Sequence, residues 1–218
     1  VRNKTDRYKQ NRESRNVLEE GKPLFEAIKG RWNDEFFDND LPLVVELGCG
    51  RGEYSVGLAE RFSDKNFIGV DIKGDRIWKG SQRAQALGLT NVGFLRTQIQ
   101  MIDNFFEAGE VSAIWITFPD PRPKDRDVKR RLTSPRFLDM YKSMLKKDGW
   151  VYFKTDSTPL FQYTLDLLKE KYTTVDMEYT FDLYQSDLWE EHYGIKTKYE
   201  LIFTEKGETI KYMKFRFA

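Results

Sequence analysis

Short apolar segments alternate with longer stretches of helical spacing along most of this chain, and that alternation restricts the fold more than any other feature. The apolar segments are LVVEL (43–47), NFIGVDI (66–72), NVGFLRT (91–97), VSAIWITF (111–118) and WVYFKT (150–155). Between them lie YSVGLAERF, GDRIWKGSQRAQALG, the helix-like IQMIDNFFEAG and SPRFLDMYKSMLKKDG, and TPLFQYTLDLLKEK follows the last. A strand buried on both faces reads as a continuous apolar run, and two parallel strands need a crossover, usually a helix. The pattern therefore predicts an α/β, doubly wound, mostly parallel sheet with helices on both faces. The punctuation agrees: Gly88 closes the second helix, Ser134 and Pro135 open another, lysines and Gly149 end it, and Thr158 with Pro159 start the next. In the last third, YTTVDMEYTFDLY and TIKYMKFRF alternate like strands that finish the sheet antiparallel, and TKYELIFTEKG opens like a capped helix.

With 218 residues, 39% of them hydrophobic, the chain suits one ordinary core. Residues 1–40 read as a basic N-terminal arm and a leading helix packed on that core, and 41–218 as the domain proper. No apolar run reaches the roughly 18 residues of a membrane span, and no signal-peptide pattern leads the chain, although a first residue of Val suggests a trimmed or processed start. A lone cysteine, Cys49, excludes an internal disulfide and fits a reducing compartment, so cytoplasmic placement is expected. One histidine, His192, speaks against a multi-histidine metal site and against histidine acid–base chemistry; its expected place is an exposed loop. The net charge of +1 hides segregation: residues 2–15 hold six bases against two acids, 122–136 hold seven against two, and 176–191 hold six acids and no base.

Gly48, Gly50 and Gly52 follow the first predicted strand directly. Glycines there permit a tight turn and let backbone N–H groups approach a ligand at a helix N-terminus. The spacing is G-x-G-x-G behind an acid, Glu46, and differs from the G-x-G-x-x-G of dinucleotide sites. Asp71 ends the second strand, where a carboxylate can accept both hydroxyls of a ribose. Cys49 reads as a small buried residue. VVELGCGRGEY with IGVDI resembles the nucleoside-binding half of Rossmann-like S-adenosylmethionine-dependent methyltransferases.

FPDPRPKDRDVKRRL (118–132), FKTD (153–156) and TKYE (197–200) narrow the match, and together they resemble the bacterial tRNA (guanine-N7)-methyltransferases over most of the chain. The resemblance implies methyl transfer from S-adenosylmethionine to N7 of a guanine in the tRNA variable loop, with no metal. It implies cofactor contacts at Glu46, Gly48, Gly50, Gly52, Asp71, Gln98 and Asp120, with Asp120 nearest the chemistry as a positioning group. It implies substrate contacts at Lys124, Asp156, Thr197, Lys198, Tyr199 and Glu200. Guanine N7 has a lone pair and no proton, so the reaction asks for alignment and dehydration and needs no general base. Arg126, Lys129, Arg130 and Arg131 are expected on tRNA phosphates, and the arm 1–16, without apolar periodicity, is expected to order on tRNA.

Each motif also has a plainer reading: a tight turn for the glycines, a turn-forming Asp between prolines for Asp120, an N-cap for Asp156, and a capping box for Thr197 and Glu200. Arg122 stands where the family commonly has tryptophan, Asp127 where histidine is common, and Gln98 where an acid is usual. On the residues alone, a methyltransferase of the same class acting on another RNA site or a small molecule, an NAD-dependent oxidoreductase and a non-catalytic tRNA-binding protein all stay open, as does the oligomeric state.

Overall fold

The computed structural model describes residues 4–218. Its centre is an eight-stranded sheet built from β1 (Val17–Leu18), β2 (Leu43–Leu47), β3 (Asn66–Asp71), β4 (Val92–Arg96), β5 (Val111–Thr117), β6 (Leu145–Thr155), β7 (Thr174–Thr180) and β8 (Lys211–Phe217). The order is β1-β4-β3-β2-β5-β6-β8-β7, with β8 antiparallel to both β6 and β7 and every other pair parallel. The expected doubly wound, mostly parallel sheet with an antiparallel end is the one observed. Strand order reverses between β2 and β5, and a crevice opens at their carboxyl ends, where ligands bind in such sheets.

The helices are α1 (Lys4–Glu13), α2 (Glu53–Arg61), α3 (Gly74–Ala86), α4 (Pro135–Met144), α5 (Thr158–Lys171) and α6 (Lys198–Glu205). Two apolar clusters sandwich the sheet. On one face Val44, Phe67, Phe94 and Trp115 meet Tyr54, Val56, Leu58 and Ala59 of α2 and Ile77 and Ala84 of α3. On the other, Val45, Ile68, Ile114, Val151 and Phe153 meet Phe137, Leu138, Tyr141, Leu160, Phe161 and Leu165 of α4 and α5. Strands with both faces covered account for the unbroken apolar runs; each fully buried Leu, Ile or Phe contributes about 1.5–3 kcal/mol.

Local readings differ from the structure in several places. Ile99–Asn104 forms only a 3₁₀ segment. Helix α4 stops at Met144, and Leu145 already pairs with Val111, so Gly149 lies inside β6 beside a register shift between Val111 and Ala113. Ser157, not Thr158, caps α5 and accepts from the Leu160 N–H. The basic segment Asp125–Arg130 is a 3₁₀ turn. The N-terminal arm also needs correction: Lys4–Glu13 is a helix, although it lacks apolar periodicity. Its ties are polar and cationic: Asn11 Nδ2 donates to the Gly74 carbonyl at 2.8 Å, Trp78 Nε1 donates to Gln10 Oε1 at 2.8 Å, and Arg7 lies over the Trp78 ring. A period search on apolar residues does not register such contacts. Residues 1–3 of that arm lie outside the described residues.

Candidate active site

All three loop glycines adopt left-handed backbone: φ is 75° at Gly48, 55° at Gly50 and 69° at Gly52. Gly52 has a second constraint, since a Cβ there would stand 2.6 Å from Phe94 Cε1 and 3.1 Å from Gly80 Cα. Glycine is thus required both by conformation and by the close approach of α3. The loop amides turn inward. Gly48 and Cys49 donate to the Val70 carbonyl at 2.8 and 3.0 Å, and Gly50 donates to Asp71 Oδ2 at 3.0 Å. The expectation that these N–H groups face a ligand is therefore narrowed: those of Gly48, Cys49 and Gly50 hold the loop to β3, and that of Gly52 donates to the Cys49 carbonyl at 2.8 Å.

Asp71, 8% exposed, accepts from Gly50 on Oδ2 and from the Lys73 N–H, at 2.8 Å, on Oδ1. A carboxylate has about four acceptor sites, so two remain for hydroxyl donors. Asp71 lines a cavity of about 480 Å³ together with Gly48, Ile72, Thr97, Gln98 and Ile99. Ile72 is 48% exposed there, an apolar wall that sequence reading passed over although it directly follows the acid. Gly48 is shared with a second cavity of about 330 Å³, walled by Arg51, Glu53, Thr117, Phe118, Lys198, Tyr199 and Ile202 among others. Both volumes are of the size of small-ligand sites. One glycine therefore joins a pocket with a diol-accepting carboxylate and an apolar wall to a pocket with aromatic and cationic walls. A nucleoside carrying an amino-acid tail fits this donor and acceptor set.

Glu46 lies beneath the loop. Its Oε2 accepts from the Ser55 N–H at 2.9 Å and from the Ser55 hydroxyl, and its Oε1 accepts from the Thr117 hydroxyl at 2.7 Å. These bonds tie β2, α2 and β5 together at the crevice. Burial raises the Glu46 carboxyl from an ordinary 4.5 to about 7, against the lowering effect of the Ser55 and Thr117 bonds.

Between Phe118 and Arg122 the chain crosses from the wall of one cavity to that of the other. Both residues are non-glycine with positive φ, 49° and 46°, a conformation that collects at functional sites. Asp120 sits on this crossing with its side chain 62% exposed; Oδ1 accepts from the Arg122 N–H at 3.2 Å and Oδ2 is 3.1 Å from Arg122 Nε. Burial, followed by the charges of Asp156 and Asp120, raises the Tyr199 hydroxyl. Burial also raises the half-buried Asp156. Tyr199 stacks on Phe203 at 4.4 Å and tilts against Phe118 at 5.6 Å.

The cations divide. Arg126 and Arg130 expose 78% and 70% of their side chains, Lys124 and Lys129 are exposed, and Lys129 and Arg130 reach the larger cavity. Arg131 is engaged internally: it donates to the Arg122 carbonyl at 3.3 and 3.2 Å and lies 4.4 Å from the Tyr163 ring centroid. Gln98 is exposed at its cavity and accepts from Gln100 Nε2 at 2.6 Å.

Of the predicted capping box only half forms. Thr197 Oγ1 accepts from the Glu200 N–H at 3.1 Å, whereas the Glu200 carboxylate points into the protein with no exposure. There it meets Lys154 Nζ and the Tyr184 hydroxyl. Lys198 N–H donates to Glu53 Oε2 at 3.0 Å, joining the starts of α6 and α2. His192, expected in an exposed loop, is buried against Tyr184 with its Nδ1 unbonded. Tyr184 and His192 gave no functional signal in sequence, and Lys154 stands inside the FKTD motif without a role of its own assigned there. Among the described residues no group of three or more His, Cys, Asp or Glu is arranged to hold a metal ion, and no helix is long and apolar enough to cross a membrane.

A family model described as "Putative methyltransferase" matches residues 40–213. The chain is 47% identical over 218 residues to a Cytophaga hutchinsonii protein named tRNA (guanine-N(7)-)-methyltransferase, covering 100% of this chain and 98% of the relative. It is 51% identical over 189 residues to the Bacteroides thetaiotaomicron protein of the same name, covering 87% and 74%. Among solved structures the 16S rRNA methyltransferase KamB superposes with a TM-score of 0.62 at 14% identity, covering 85% of this chain and 92% of that one. An antibiotic-related methyltransferase gives 0.59 at 17% identity, covering 81% and 88%. At such identities the two structures speak for the fold alone.

Proposed function

Because the chain belongs to the tRNA (guanine-N(7)-)-methyltransferase family, we propose that it transfers the methyl group of S-adenosylmethionine to N7 of a guanine in the tRNA variable loop. The observation that carries the reaction is the identity to the Cytophaga protein over the whole chain. The assignment of residues rests on the geometry of the two joined cavities.

Bound across Gly48, S-adenosylmethionine supplies a methyl group activated by its sulfonium. Asp71 accepts the ribose hydroxyls, Ile72 and Ile99 flank the base, and Gln98 meets its edge. Gly48, Gly50 and Gly52 let the tail pass close to the backbone, with Glu46 fixing the loop from below. Asp120, on the crossing between the cavities, orients the reacting groups. Guanine N7 has no proton to lose, so no base is required. Its N1–H and 2-amino group need acceptors, and Asp156 beside Tyr199 supplies a carboxylate and an aromatic face. Lys124 and Thr197–Glu200 complete that side, with Glu200 acting from the interior. Arg126, Lys129 and Arg130 hold phosphates, and Arg131 contributes by fixing the Arg122 carbonyl. The arm beginning with α1 adds further positive charge for tRNA. A tRNA substrate and a single free thiol favour the cytoplasm.

Unmodified tRNA transcripts, labelled S-adenosylmethionine and the purified protein test the whole reading. Digestion to nucleosides is expected to place the label in 7-methylguanosine at one variable-loop guanine. Label at another position would refute the site, label in another nucleoside would refute the reaction, and no label with cofactor binding intact would refute methyl transfer to tRNA.

A further inference from the structure

Resting on methyl transfer to guanine N7, and deepening it, we propose that Lys154 is a positioning residue: its buried ion pair with Glu200 sets α6 across the cavity from the glycine loop. Lys154 lies in β6, two residues before Asp156, and both partners have no side-chain exposure. The ammonium is 2.9 Å from Glu200 Oε1 and 3.1 Å from Oε2. It also stands over two rings, 5.2 Å from the centroid of Tyr54 and 5.7 Å from that of Phe118. The Tyr184 hydroxyl donates to Glu200 Oε1.

What the pair holds makes the case. Helix α6 has eight residues, too few for stability on its own. It is not anchored by an apolar face: its one buried residue is Glu200, while Leu201 and Ile202 are 45% and 39% exposed. The same helix supplies Lys198, Tyr199 and Ile202 to the wall of the smaller cavity, opposite Gly48, Cys49 and Gly50. The other wall is fixed through the same lysine, since the Phe118 N–H donates to the Lys154 carbonyl at 2.9 Å and the Phe118 ring lies against its ammonium. A buried ion pair often stabilises no more than apolar residues of like volume, and its best-attested contribution is to register. Here register is the width of the cavity in which guanine and methyl donor must meet. A displacement of about 1 Å in such a site costs about 100-fold in rate.

Lys154→Met is the first test, with wild type alongside. The expected result is a folded variant whose Kd for S-adenosylmethionine changes less than about threefold, while kcat at saturating tRNA falls about 100-fold. A role in stability alone would lower the melting temperature and leave that kcat in place. Tyr184→Phe, which removes one bond to Glu200, is expected to lose several-fold in kcat with cofactor affinity kept. The double variant Lys154→Met/Glu200→Met, in which an apolar contact replaces the pair, is expected to regain at least about tenfold over the single one. The proposal is overturned if folded Lys154→Met keeps kcat within threefold, if its loss lies wholly in cofactor Kd, or if the double variant regains nothing. If Lys154→Met alone does not fold, Tyr184→Phe and the double variant decide by the same criteria. Failure of the wild-type protein to form 7-methylguanosine would instead strike at the reaction itself.

Discussion

Replacing Glu46 with glutamine is expected to change how stability depends on pH, with a size that follows from the environment of the carboxyl. Glu46 is 3% exposed, and burial moves it from an ordinary 4.5 to about 7. Between those values the folded protein keeps a proton that the unfolded chain has released. The stabilisation linked to Glu46 is therefore complete below about pH 4.5 and is lost as pH rises through 7. At about 1.36 kcal/mol per pH unit the whole interval corresponds to about 3 kcal/mol. Glutamine keeps the shape, can accept from Ser55 and can donate to Thr117, yet does not titrate. Urea unfolding of both proteins at pH 5, 6, 7 and 8 isolates the effect, because every other titrating group is common to the pair. The stability of Glu46→Gln minus that of wild type is expected to rise by about 2–3 kcal/mol between pH 5 and 8. A difference that stays flat across that range would refute the argument, since it would mean Glu46 ionises in the fold as it does in the open chain.

Other perturbations test the site at separate points. Gly52→Ala is expected to cost about 2 kcal/mol or more in urea unfolding, because the new methyl meets Phe94 and the backbone is left-handed. Asp71→Asn removes a charged acceptor of two backbone bonds, and isothermal titration should find cofactor binding weakened by roughly 10-fold or more. Asp120→Ala is expected to keep much of the cofactor affinity and lose most methyl transfer in a labelled-methyl assay; wild-type turnover would remove Asp120 from the site. Lys129→Ala with Arg130→Ala should weaken tRNA binding in anisotropy titrations and lower the log–log salt slope by roughly one per charge removed.

The sequence by itself determined most of the strands and helices and the place of the cofactor loop. Apolar runs such as VSAIWITF, followed by helical spacing, carry their structural meaning within a few residues. The positive φ of Gly48, Gly50 and Gly52 and the strand-end position of Asp71 are equally local facts, legible wherever a glycine or an acid meets the end of an apolar run. Tertiary structure alone decided the rest. Insertion of β8 between β6 and β7 rests on pairings such as Met177 with Phe215, 38 positions apart. Lys154 met Glu200 because β6 and α6 come together over the crevice, and Glu200 turned inward although its spacing from Thr197 fits a capping box. Arg131 left the basic face because a carbonyl and the Tyr163 ring lay within reach. His192 became buried, and α1 formed on polar contacts that no apolar period announces. Periodicity and turn chemistry depend on neighbours in the chain. The partner of a buried charge depends on which elements cross, and that is fixed only when the whole sheet has closed.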